Sequence, residues 1–142
     1  MPYTPIGQVK WRLSGSGLST TIAAGSGNSG TWGLTPPVSY PYSPVDIGGV
    51  TDLSLYVFTG TKTASASLVV NLDLYDDDGN LFPAVMSTAA ITASGAAPVV
   101  TCGLHGTTAG TYLVLPSYAR VSWVLSGSGA SFAGVEITLY GR

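Results

Sequence analysis

The sequence predicts an all-β fold, a single antiparallel β-sandwich of jelly-roll type with an extended Pro/Tyr-rich arm, and three observations point to it. No window sustains a helical period, short runs that alternate apolar and polar residues recur along the whole chain, and clusters of Gly, Pro and Ser separate them at spacings of about ten residues. Such a pattern favours two packed sheets over a parallel α/β fold. The 142 residues suit one domain, 1–142, and a domain of that length buries roughly two thirds of its unfolded surface without needing a disulfide or a metal.

Taken in order, residues 1–8 form an N-terminal arm, because Pro2, Tyr3 and Pro5 resist regular pairing. Strands are expected at Val9–Leu13 and Leu18–Ala23. The first runs into Ser14-Gly-Ser-Gly17, a string echoed at Ser126-Gly-Ser-Gly129 after Trp123, and both Trp11 and Trp123 are expected as core anchors. Residues 25–49 are expected as an extended arm or long loop, since Gly25-Ser-Gly-Asn-Ser-Gly30 is followed by Pro36, Pro37, Pro41 and Pro44 interleaved with Tyr40 and Tyr42. Further strands are expected at Val50–Thr59, Ser67–Tyr75, Val85–Ala93, Val99–Cys102 and Thr111–Leu115. Ser67–Tyr75 has the cleanest pattern: Leu68, Val70, Leu72 and Leu74 take one face, and Asn71, Asp73 and Tyr75 a solvated one.

The chain from Tyr118 to Arg142 reads as a hairpin about the turn Ser126–Gly129. Trp123 then faces Phe132, but simple pairing places Val135, Ile137 and Leu139 on the wrong face. One extra residue at Ala133-Gly134, a β-bulge suited to glycine, restores the parity and sets Arg120 opposite Glu136.

Charged residues make up only 8% of the chain, against about 25% in an average soluble protein. A net charge of -2 with no basic stripe argues against nucleic acid, and the longest apolar runs fall far short of the roughly 20 residues that span a bilayer. Met1-Pro-Tyr-Thr lacks a secretory pattern, so synthesis in the cytoplasm is expected, and the lone Cys102 is expected as a buried, inert thiol.

Little chemistry is encoded. Gly25-Ser-Gly27-Asn-Ser-Gly30 matches a dinucleotide fingerprint by letter, but Pro36-Pro37 follows where the phosphate-binding helix should begin. Cys102 and His105 supply two metal ligands where a structural zinc site needs four, and as a nucleophile pair they lack an orienting third group. Asp52 and Asp73 carry no geometry that would make them a glycosidase pair. Asp76, Asp78 and the Asn80 amide oxygen form a weak candidate calcium site, set against a simple hairpin turn over Asp76–Asn80. No cofactor is expected, and no enzymatic activity.

The segment Leu115-Pro-Ser-Tyr-Ala-Arg-Val-Ser-Trp123, with the Ser/Gly stretch and short strand after it, resembles the C-terminal segments of small head proteins of tailed bacteriophages. That resemblance covers about the last quarter of the chain and implies a virion protein, a capsid decoration or cement protein, that binds the major capsid protein at the outer surface, self-associates as a homotrimer and stabilises the capsid. It transfers no functional residues. Tyr3, Trp32, Tyr40 and Tyr42 are the expected partner-binding residues, because aromatics on the arms give large contact area at modest entropic cost. The alternatives are a tail or baseplate structural protein, or a carbohydrate-binding module that uses Tyr56, Tyr75 and Asp73 on a wet sheet face.

Overall fold

A computed structural model describes residues 9–12, 20–23, 25–28, 45–63, 65–105 and 114–142, the first three stretches and Val45 through their backbone pairing alone. Ten strands are assigned among these: β1 (Val9–Arg12), β2 (Thr20–Ala23), β3 (Gly25–Asn28), β4 (Val45–Asp46), β5 (Asp52–Phe58), β6 (Ser67–Tyr75), β7 (Leu81–Ser87), β8 (Val99–Gly103), β9 (Tyr118–Ser126) and β10 (Ser131–Gly141). One sheet has the order β1-β10-β5-β8 with β2 also on β10, and the other has the order β3-β9-β6-β7 with β4 also on β9.

Every pairing is antiparallel, and the pairs nest: β6 with β7, β5 with β8, β3 with β9, β1 with β10. A long antiparallel ribbon rolled so that alternate pairs land in opposite sheets gives this order, with β10 on β5 and β9 on β6 closing the roll. The fold is a jelly roll.

Alternation fills the space between the sheets. Leu53, Leu55 and Val57 of β5, Cys102 of β8, and Phe132, Val135, Ile137 and Leu139 of β10 point inward from one side. Leu68, Val70, Leu72 and Leu74 of β6, Met86 of β7, and Ala119, Val121 and Leu125 of β9 meet them from the other. Each fully buried Leu or Ile is worth about 1.5 to 3 kcal/mol relative to exposure, so this inner layer supplies the main driving force.

The last two strands correct the expected hairpin. β9 and β10 belong to different sheets, joined by a turn in which Ala130 N–H donates to Gly127 O, so Arg120 lies opposite Asp73 and Glu136 opposite Phe58. The physical reason is that each strand carries an apolar face, Val121 and Leu125 on β9 and Val135, Ile137 and Leu139 on β10, and in opposite sheets those faces pack into one core while β6 and β5 supply the ladder partners. Residues 59–63 and 65–66 lie beside this corner: Thr63 N–H donates to Ser131 O, and Ser65 Oγ to Ser128 O. Trp123 and Phe132 therefore face the core from opposite sheets, Phe132 fully buried and Trp123 partly so. The bulge is present where parity required it. Pairing of β10 with β2 shifts between Phe132 and Val135, and Gly134 has φ +65°.

Other boundaries move. The strand expected at Val85–Ala93 is β7, six residues nearer the acidic turn at its end, with Ile91 forming only an isolated bridge to Leu68. Val114 and Leu115 lie outside any strand. Within the expected arm 25–49, residues 25–28 and 45–46 pair with β9 and Ile47 enters the core, while residues 29–44 lie outside the described residues, as do 1–8.

Candidate functional site: the outer faces of the two sheets

The expected partner-binding residues Tyr3, Trp32, Tyr40 and Tyr42 all lie outside the described residues. The expected sugar-binding trio is separated. Tyr56 stands on β5, whereas Asp73 and Tyr75 stand on β6 of the other sheet. Nor are the last two wet: Tyr75 is 2% exposed and Asp73 1%.

Asp73 is buried because its charge is answered. Its Oδ2 accepts from Arg120 Nε at 2.8 Å across the β6/β9 pairing, and its Oδ1 accepts from the Ala84 N–H at 2.7 Å. The Arg120 guanidinium also lies 5.6 Å from the centroid of the Tyr75 ring, a cation–π contact. The Ala84 contact explains a distortion in β7. Pairing runs Leu72 to Met86 and then Leu74 to Phe82, so Pro83, Ala84 and Val85 stand against Asp73 alone. Ala84 adopts φ +50°, and the Asp73 carboxylate holds its N–H in place of a ladder bond. Pro83 is accommodated because β7 is the last strand of its sheet.

The acidic turn is built around one carboxylate. Asp76 Oδ1 accepts from the N–H groups of Asp78 at 3.0 Å and Asn80 at 2.8 Å, and its Oδ2 accepts from Asn80 Nδ2 at 2.9 Å. Hydrogen bonds from the Asn80 side chain, then its backbone, hold the Asp76 carboxyl below its ordinary range despite a small opposing effect of burial. The Asn80 amide thus spends its NH2 inside the turn, and Gly79 at φ +85° closes it. Among the described residues, no group of three or more His, Cys, Asp or Glu converges on one point.

Cys102 and His105 part company. Cys102 is in the core, where burial and then the nearby Asp52 charge push its thiol up to about 11. His105 is exposed and serves Asp52: its Nδ1 lies 2.8 Å from Asp52 Oδ2, and its N–H donates to Asp52 Oδ1 at 2.7 Å. Arg142 approaches the same carboxylate at 3.7 Å, and Thr51 Oγ1 donates to it at 3.1 Å. Partial burial of Asp52 raises its pKa, but the hydrogen bonds from His105 and Thr51 outweigh it, and the carboxyl sits below its ordinary value.

From Asp52 the outward face of the β1-β10-β5-β8 sheet continues as Ser54, Tyr56 and Phe58 on β5, beside Tyr140, Thr138 and Glu136 on β10. Tyr56 and Phe58 are 46% and 47% exposed. The rings of Tyr56 and Tyr140 meet edge to face at 5.2 Å, a diagonal pair across the strands. Tyr140, Phe58, Ser54 and Thr138 are absent from the sequence expectations. Alternation sets Val135, Ile137 and Leu139 on one face of β10, but only the long-range pairing with β5 gives the opposite face its neighbours.

No family model matches the chain, and no curated protein does. Solved structures do match in fold. A chain of the infectious bursal disease virus VP2 subviral particle superposes with a TM-score of 0.53 at 12% identity, over 94% of this chain and 32% of that one. A chain from the T13 particle of the same virus gives 0.51 at 13% identity, over 94% and 30%. The likeness is one of fold. This chain spans about a third of the length of those it matches.

Proposed function

We propose that this protein is a structural component of a virion, one that decorates and stabilises a bacteriophage capsid by binding its outer surface. The observation that carries the reading is the nested jelly-roll pairing, matched over 94% of the chain by chains built into virus particles. The phage assignment, the major capsid protein as partner and a homotrimeric state rest on the resemblance of the segment Leu115–Trp123. Weak contacts repeated over a particle gain strength by multivalency, which suits a chain with few charges and aromatic arms. Tyr3, Trp32, Tyr40 and Tyr42 are the contact residues in this reading. It assigns no catalysis: the core thiol of Cys102 and the Asp52-bound His105 form no nucleophile pair.

The test is cryo-electron microscopy of particles mixed with the purified protein. Ordered density on the outer surface supports the reading, and loss of occupancy on deleting residues 1–7 or replacing Pro36–Pro44 assigns the arms. Unchanged occupancy in both variants removes the arm assignment, and absence from the particle removes the function.

A further inference from the structure

Over the seam of β5 and β10 lies an open furrow of about 440 Å³, lined by Asp52, Ser54, Tyr56, Thr138, Tyr140 and the C-terminal Gly141-Arg142. A second cleft of about 190 Å³ begins on the other side of Tyr56 and Thr138, bounded by Phe58, Pro98 and Glu136. The shared residues Tyr56 and Thr138 make the two one elongated track with an exposed aromatic ring at its middle. We propose that this track is an oligosaccharide-binding site.

Three properties select that ligand class. An exposed ring whose edge-to-face partner limits its movement is a preformed platform for the C–H face of a sugar. Hydroxyls of Ser54, Thr138 and Tyr140 line the same track, and each donates and accepts, as sugar hydroxyls require. Finally, the carboxylate in the larger furrow is already engaged, since Asp52 holds His105 at 2.8 Å and Arg142 at 3.7 Å. With that carboxylate engaged and the Glu136 carboxylate adding negative charge at the other end of the track, a phosphate is disfavoured and a neutral ligand suits the site. The volume of the furrow lies within the range of small-molecule sites, and the continuation past Tyr56 favours a chain of sugars over a single ring. This site is independent of the virion reading and stands or falls separately from it.

The experiment is a nuclear magnetic resonance titration of the whole chain with cellotetraose, maltotetraose and chitotetraose, with a heparin tetrasaccharide as the charged comparison. At least one neutral sugar is expected to shift the amides of Ser54, Tyr56, Thr138 and Tyr140 in a saturable way. Tyr56→Ala is expected to weaken that sugar by about tenfold or more, while Tyr56→Phe, which keeps the ring, stays within about threefold. Val124→Ala, at an exposed site on the other sheet, leaves affinity unchanged. Three results overturn the proposal: no neutral sugar shifts these amides, heparin alone does, or Tyr56→Ala binds like the parent. Shifts of the same amides with protein concentration alone, without sugar, also overturn it and assign the face to contact between copies.

Discussion

The two sheets turn opposite kinds of outward face to their surroundings. Both carry tyrosines and carboxylates at alternate positions, yet β5 and β10 leave Tyr56 nearly half exposed, while β6 buries Asp73 and Tyr75 almost completely. Polarity alone therefore does not decide which face is wet. Arg120 makes the difference, since it answers the Asp73 charge at 2.8 Å and lies over the Tyr75 ring. On the other sheet, Asp52 finds its partners at the exposed side chains of His105 and Arg142, at the rim. Around Asp73 the outward polar groups close into a network, whereas along β5 and β10 they line an open furrow.

Removing Asp73 is the largest way to break that contrast. Asp73→Ala takes the carboxylate away from a guanidinium with 12% side-chain exposure and removes the acceptor of the Ala84 N–H, so a loss of about 3 to 5 kcal/mol is expected in urea unfolding. A double variant with Arg120→Met is expected to recover part of it, because the buried positive charge goes with its carboxylate. If Asp73→Ala costs no more than a surface substitution, the closed network contributes little. Tyr75→Ala is expected to lose about 3 kcal/mol or more by leaving a cavity, while Tyr56→Ala, at 46% exposure, is expected to stay within about 0.5 kcal/mol. Equal losses from the two tyrosine variants would erase the distinction between the faces.

The bulge in β10 sharpens the contrast, because it keeps Glu136, Thr138 and Tyr140 outward while Phe132 and Val135 both point inward. At φ +65° an alanine at position 134 meets only ordinary contacts, Gly60 Cα at 3.4 Å, so the expected cost of Gly134→Ala is the left-handed strain of about 1 to 2 kcal/mol. A neutral or stabilising effect in thermal unfolding would show that the bulge does not depend on glycine.

Parity made that bulge legible, and it made β6 legible to the residue, since alternation along a strand is a local property. Which strand lies alongside is not local. β9 and β10 read as a hairpin because four turn residues permit one, but the same turn also carries the chain from one sheet to the other. Arg120 was consequently matched with Glu136 instead of Asp73. The misplacement of Asp73 and Tyr75 has the same origin: alternation tells two faces apart but not what a face meets beyond the strand. For that reason only Tyr56 of the furrow is legible as a binding residue, since Ser54, Thr138 and Tyr140 become its neighbours through the β5/β10 pairing alone.

A small effect is also expected at Asp52, the counterpart of Asp73 on the open face. Hydrogen bonds from His105 and Thr51 outweigh partial burial and hold the Asp52 carboxyl below its ordinary value of 3.8. The folded chain therefore binds that proton less readily than the unfolded chain. Its contribution is present above the unfolded value and is lost as pH falls through the lower folded one. With His105 exposed, the contribution is expected to stay below about 1 kcal/mol. Asp52→Asn is thus expected to lower the unfolding temperature slightly near neutral pH, with the gap to the parent closing as pH drops below about 4. A gap that widens on acidification would reverse the sign assigned to this carboxylate, and a gap as large as that of Asp73→Ala would mean that the open face is held together as tightly as the closed one.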